Sequence, residues 1–366
     1  MSYLWGILGW AVVLATLWDA FTTIVVPKTV ERGASFSGAY YNFTWALWHR
    51  IAGALKDGPL RMSVLTSFAP ISMLLLFLLW AASLALGFAL IQFSHGSLGD
   101  GSPFTQYLYF SGETFFTLGY GDMTPKHGIG QFISVLEAGT GFAFLALVIG
   151  YIPVLYGHFS TREQLIVQLD SRAGSDPSVG QLLAKYGHSG AMEDLVALLK
   201  DWEIWSAKQL EAYLSYPVLA FYRSQHDDQS WLCSLTCILD TCAVIEMGFG
   251  DDHPWAKRLQ FQAQATFAMG RHVIVDLAYL LNAGPDFKAP SRLPDSTYDQ
   301  LCKMLNDAGI GIQQGRIEAF RQRRAMYEPY CISLAKDLLF TLPGWVPQPG
   351  AVENWQLTAW DRANHF

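Results

Sequence analysis

The chain has 366 residues, 51% of them hydrophobic and only 15% charged, whereas a soluble protein of that length carries nearer a quarter charged residues. Its net charge of −7 and the lack of any long basic run exclude the electrostatic footprint of a nucleic-acid-binding protein. The charges are uneven: residues 1–160 hold 6 Lys/Arg and 7 Asp/Glu, against 18 and 24 in residues 161–366, so a lipid-like half precedes a water-like half.

Leu4 to Val26 form an apolar run broken only by Asp19, too long for a signal-peptide core and without its basic start or small-residue cleavage site. It predicts a first transmembrane helix. An acid at that depth needs a partner: either neighbouring hydroxyls and indoles hold Asp19, or it takes part in gating. Next, Phe36, Tyr40, Phe43, Leu47, Ile51 and Leu55 recur at spacings of three and four, which predicts an amphipathic helix at the membrane interface or packed on the protein itself.

From Ser63 to Gly99 no residue is charged, and Phe68 to Phe93 alone exceeds the length that a bilayer requires. This is the second predicted span. Ile129 to Tyr156 carries one charge, Glu137, and is the third; Glu137 is expected to be protonated or hydrogen-bonded to the short helix described next. Lys28, Arg32, Arg50, Lys56 and Arg61 lie between the first two spans and Lys126 alone between the last two. The positive-inside bias then places the first linker and the carboxyl-terminal half in the cytosol. None of the spans carries the repeated arginines of a voltage sensor.

Between the second and third spans, Phe104 to Phe115 predicts a helix too short to cross, followed by FTLGYGD, residues 116–122. Irregular backbone at membrane depth is tolerated only when it is buried in protein or lines an aqueous path. A dehydrated cation on such a path needs oxygen ligands, which successive backbone carbonyls turned to one side can supply. That turn alternates right- and left-handed residues, and Gly119 and Gly121 tolerate positive φ. Thr117 adds a hydroxyl at the inner end, and the short helix aims its partially negative carboxyl end at the path, favouring cations.

The stretch SGETFFTLGYGDMTP, residues 111–125, is similar to the pore signature of potassium channels, whose core reads Thr-x-Gly-Tyr-Gly-Asp. The resemblance implies a selectivity filter in which the carbonyls of Thr117, Leu118, Gly119 and Tyr120 bind potassium, with Gly121 at the mouth. It implies Glu113 and Asp122 as a carboxylate pair that supports the filter, and a homotetramer, since one pore segment per chain cannot close a ring. The aromatic Phe116 stands where many members have a small hydroxyl residue. In the third span Gly139, Gly141, Gly150 and Pro153 are poor helix interiors. By its distance from the filter Gly141 matches the family's hinge; Gly150 and Pro153 are further candidate bending points, and close helix packing is the other use of such small residues.

Beyond Ser171 the spacing is helical and the strand pattern scarce, which predicts one all-helical cytosolic domain, with TLPGWVPQPGAVENWQLTAW as an extended strap carrying Trp345, Trp355 and Trp360. The organisation expected is an all-α membrane protein: residues 1–60 hold the first span and the interfacial helix, 61–160 a pore module, 161–340 the cytosolic domain and 341–366 the tail. GIGIQQG, residues 309–315, has the wrong spacing for a nucleotide-binding turn and follows a helical stretch. Cys233, Cys237, Cys242, Cys302 and Cys331 form no CxxC pair and fit reduced cytosolic thiols. The stretch YRSQHDDQSW brings together Arg223, His226, Asp227 and Asp228, with Asp240 three turns further along the same predicted helix. That cluster is a structural network, a pocket for an unidentified cytosolic ligand, or, with His188, a His-Asp metal phosphohydrolase centre.

These readings converge on a potassium-selective, non-enzymatic channel of the plasma or inner membrane, passing K+ passively, needing no cofactor beyond the permeant ion and gated through the cytosolic domain. The alternatives are a cation channel that does not discriminate, and a membrane-anchored signalling enzyme or receptor that uses the YRSQHDDQSW cluster.

Overall fold

The computed structural model describes residues 2–26, 35–99, 101–224, 229–248, 255–311, 317–348, 350 and 353. Among them the regular structure is helical: α1 (Ser2–Ile24), α2 (Phe36–Ala54), α3 (Pro59–Ser94), α4 (Phe104–Phe115), α5 (Gly128–Ala173), α6 (Val179–His188), α7 (Asp194–Ser215), α8 (Trp231–Gly248), α9 (Ala256–Leu280), α10 (Asp295–Asp307), α11 (Ile317–Ala325) and α12 (Glu328–Leu338). α1, α3 and α5 are long and apolar enough to cross a membrane. The chain is an all-α membrane protein. It divides into two compact units, Met1–Gly157 and His158–Phe366, and the division falls within α5.

In the first unit α1 runs antiparallel to α3 because glycines let the two backbones meet. A Cβ on Gly9 would lie 2.6 Å from the Gly87 carbonyl oxygen, and one on Gly87 2.7 Å from Val13 Cγ2. Lower down, Asp19 Oδ2 accepts the Trp80 indole N–H at 3.0 Å, and Oδ1 accepts the Ser37 N–H at 3.2 Å and its hydroxyl at 3.3 Å. The buried acid is thus held by a hydroxyl and an indole. It also sits at the positive end of α2, where a carboxylate is favoured.

α2 then continues beside α3. Tyr40 donates to the Ser72 carbonyl at 2.9 Å and Trp48 Nε1 to the Val64 carbonyl at 2.7 Å, so α2 advances eight residues while its partners on α3 fall by eight. Trp45 and Ala52 are buried, whereas Phe36, Phe43, Leu47 and Ile51, four members of the stripe that the periodicity marks, face outward. The amphipathic helix therefore lies along α3 rather than alone. At 36 residues α3 measures about 54 Å, well beyond the roughly 30 Å of hydrocarbon, which leaves its first turns free to carry α2.

α4 closes the unit. Phe115 packs into a core that takes Val13 from α1, Leu84 and Phe88 from α3 and Ile133 from α5, and Tyr107 and Phe110 pack with Leu98. The third span reaches further than its apolar run: α5 continues through Pro153 to Ala173. An interior proline forfeits a single ladder bond, and polar residues with fair helix propensity follow it.

In the second unit the extension of α5 is anchored by Arg162, which is 1% exposed. Its Nη1 and Nη2 donate at 2.8 Å to the carbonyls of Leu219 and Tyr222, around the 3-10 turn Pro217–Phe221. α7 and α8 both pack on α9, over a core that includes Trp202, Tyr213 and Trp231. The tail is extended as expected at Trp345, which is buried against Phe320 and accepts the Gly180 N–H at 3.0 Å. Trp355 and Trp360 lie outside the described residues.

Candidate functional site: the loop after α4

α4 occupies the twelve residues that the sequence predicts, Phe104–Phe115. Its carboxyl end winds into the loop through three backbone bonds: Phe116 N–H to Gly112 at 3.0 Å, Thr117 N–H to Thr114 at 3.1 Å and Leu118 N–H to Glu113 at 2.8 Å. From there every second residue is left-handed, with φ of 57° at Thr117, 60° at Gly119 and 75° at Gly121. Glycine adopts this region freely; Thr117 does so at a cost of about 1 kcal/mol or more. The alternation is what a ribbon needs to turn successive carbonyls to one side. Leu118 and Tyr120, between the left-handed positions, are exposed in the single chain, as is Phe116.

Behind the ribbon the two predicted support residues meet. Glu113, buried on α4, has its carboxyl against that of Asp122 and accepts the Tyr120 backbone N–H. Tyr109, one turn earlier, donates its hydroxyl to Asp122. The ribbon is thus tied at both ends to α4, and the return path is fixed by Lys126 N–H bonding the Ser97 carbonyl at 2.8 Å.

Of the glycines in α5, Gly141 faces α4: a Cβ there would collide with the Phe115 carbonyl oxygen and lie 2.9 Å from its carbon. Gly139 and Gly150 have nothing within 4 Å of that position, and Pro153 lies inside the helix. One turn before Gly141, Glu137 is fully buried and bonds the hydroxyl of Ser111 on α4. Sequence reasoning anticipated a hydrogen bond to this helix but not Ser111, whose only signal was a hydroxyl in an otherwise aromatic stretch.

The predicted YRSQHDDQSW cluster is described only in part. His226, Asp227 and Asp228 lie outside the described residues. Arg223 and Asp240 do not share a helix, because the backbone leaves the 3-10 turn at Tyr222 and a new helix begins at Trp231, where Ser230 Oγ accepts the Cys233 N–H at 3.0 Å. A serine in that place is a helix start signal. Arg223 instead donates to the Leu338 and Leu339 carbonyls at 2.5 and 3.1 Å and stacks on Phe340.

Asp240, 1% exposed, is held by Arg292 and accepts the Tyr327 hydroxyl at 2.5 Å. Arg324 bonds Glu328 at 2.6 Å beside it. Burial pushes the Asp240 carboxyl from its usual 3.8 up to about 6, against the pull of Arg292 and the Tyr327 hydroxyl. Because the folded chain takes this proton before the unfolded chain does, the contribution is fully present below pH 3.8 and is lost as pH rises through 6. The melting temperature of the full chain in detergent should therefore gain more between pH 7.5 and pH 5 in the wild type than in Asp240→Asn, by a margin equivalent to about 1 kcal/mol. Equal gains would show that Asp240 titrates as a free carboxylate.

Residues 73–155 match the model of a family described as an ion channel. The matched segment takes in most of α3, all of α4, the loop with its alternating ribbon, and α5 as far as Leu155. An uncharacterized membrane protein of Bacillus subtilis (strain 168), YdjJ, is 21% identical over 207 residues, which are 52% of this chain and 57% of that relative. The chain thus spans just over half the length of this curated relative. No solved structure matches it. The membrane unit is accordingly an ion-channel-like segment within a membrane protein.

Proposed function

We propose that the chain is a potassium-selective channel of the plasma or inner membrane, conducting passively as a homotetramer and gated through its second unit, on the cytosolic side. The observation that carries this reading is the left-handed alternation at Thr117, Gly119 and Gly121, backed by the Glu113–Asp122 pair. Rings of the Thr117, Leu118, Gly119 and Tyr120 carbonyls from four copies would replace the hydration shell of K+, with Gly121 at the mouth. The carboxyl end of α4 would add a favourable potential for cations. The match of residues 73–155 to an ion-channel family supports the same segment; the choice of potassium rests on the Thr-x-Gly-Tyr-Gly-Asp core, which the chain carries complete.

Conduction needs no catalytic step, and the rival reading as a signalling enzyme is disfavoured because Arg223 and Asp240 are each committed to separate structural partners. The test is the reversal potential of the purified, reconstituted full chain under a gradient of K+ against Na+. A selective filter holds it near the potassium equilibrium potential. A value near zero means a cation channel without discrimination, and the absence of current from an intact assembly removes the reading altogether.

A further inference from the structure

Glu137 is an acid in the middle of an apolar helix, fully buried in a stretch of sequence with no lysine or arginine between Lys126 and Arg162 to neutralise it. Such a residue is expensive in a membrane and is retained where it does something. Among the described residues Oε1 meets Ser111, itself fully buried, and Oε2 finds no hydrogen bond. Ser111 Oγ also lies 2.6 Å from the Ala85 carbonyl oxygen. One hydroxyl therefore touches α3, α4 and α5 together.

The contact is repeated one turn on. Gly141, four residues after Glu137, lies against the Phe115 carbonyl, four residues after Ser111. Residues four apart share a helix face, so α4 and α5 meet along matching turns. The second meeting point is the carbonyl that closes α4, immediately before the three backbone bonds that launch Phe116, Thr117 and Leu118. A shift of α5 at this level is delivered to the start of the ribbon without an intervening loop.

We propose that Glu137 and Ser111 form a latch through which α5 positions α4 and the filter, so that the open state of the filter depends on the hydrogen bond between them. Both are positioning residues, and the proposal rests on the conduction reading above. Glutamine at 137 keeps the length of the side chain and donates from its amide to Ser111 Oγ, whereas alanine reaches nothing.

The test is single-channel recording from the reconstituted full chain in symmetric K+ at fixed voltage, with assembly checked by size. Ser111→Ala and Glu137→Ala should each lower open probability about tenfold, the scale of one buried hydrogen bond. Glu137→Gln should stay within about twofold of wild type, and the double variant S111A/E137A should be no worse than either single one, since both remove one interaction. Open probability unchanged in both alanine variants, or effects that multiply in the double variant, overturns the latch. Should Glu137→Ala fail to assemble, Ser111→Ala against Glu137→Gln decides, and an unaltered Ser111→Ala overturns it. Wild-type current with unaltered variants sinks the latch alone; an assembled wild type that passes no current sinks the conduction reading and the latch with it.

Discussion

Gly119→Ala is expected to abolish potassium-selective current while leaving the assembled protein intact. Gly119 sits at φ 60°, and a Cβ there meets nothing of its own chain within 4 Å. The penalty is therefore conformational and not a clash: a non-glycine residue in the left-handed region costs about 1–2 kcal/mol. In the proposed ring of four chains that sums to about 4–8 kcal/mol, and Thr117 already carries one such strain in each copy. Relaxing residue 119 to negative φ would rotate its peptide planes and withdraw a ring of carbonyls from the ion path. The loss should appear as absent K+ flux, or as a reversal potential moved toward zero, in a protein that still assembles to the size of the wild type. Undiminished selective flux through Gly119→Ala would mean that these carbonyls are not the ligands.

The elements legible in the sequence are those whose cause is local. Apolar runs, broken in α1 by Asp19 alone, mark α1 and α3, and twelve residues of helical pattern mark α4 with its bounds. The motif marks the ribbon because glycine at alternate positions has a single conformational use here. The far end of α5 is hidden because the fall in hydropathy after Tyr156 marks the edge of lipid, not the end of a helix. Partners far apart in sequence were also out of reach. Asp240 is held by residues 52 and 87 positions away, and Glu137 by one 26 positions away, so the sequence shows that each acid needs a partner without saying which. Asp19 was easier, since an apolar span offers only hydroxyls and indoles to a buried acid, and Ser37 and Trp80 are of those types. The YRSQHDDQSW stretch was misread as continuous helix because its apolar spacing persists across Ser230, where a side-chain cap restarts the helix.

Gly141→Ala carries the second large expectation, and it separates two uses of glycine in one helix. Alanine in a helix interior gains up to about 1 kcal/mol over glycine, so at a glycine with free space the substitution should stabilise. Gly150 is such a place, with nothing within 4 Å of a Cβ. At Gly141 the new methyl would collide with the Phe115 carbonyl oxygen and sit 2.9 Å from its carbon and 3.2 Å from its Cα. Backbone cannot rotate out of the way as a side chain can, and overpacking of this kind costs about 1–3 kcal/mol, more than the propensity returns. The strain falls on the last turn of α4, whose bonds to Phe116, Thr117 and Leu118 set the start of the ribbon. Gly141→Ala should therefore lower the melting temperature of the assembled protein and shift its reversal potential toward zero. Gly150→Ala should raise the melting temperature and leave selectivity alone, and if α5 bends at Gly150 on opening, only its open probability will fall. A Gly141→Ala protein that is more heat-stable than wild type and equally selective would show that α4 and α5 stand further apart in the conducting assembly, and that Gly141 serves there as a point of bending and not of contact.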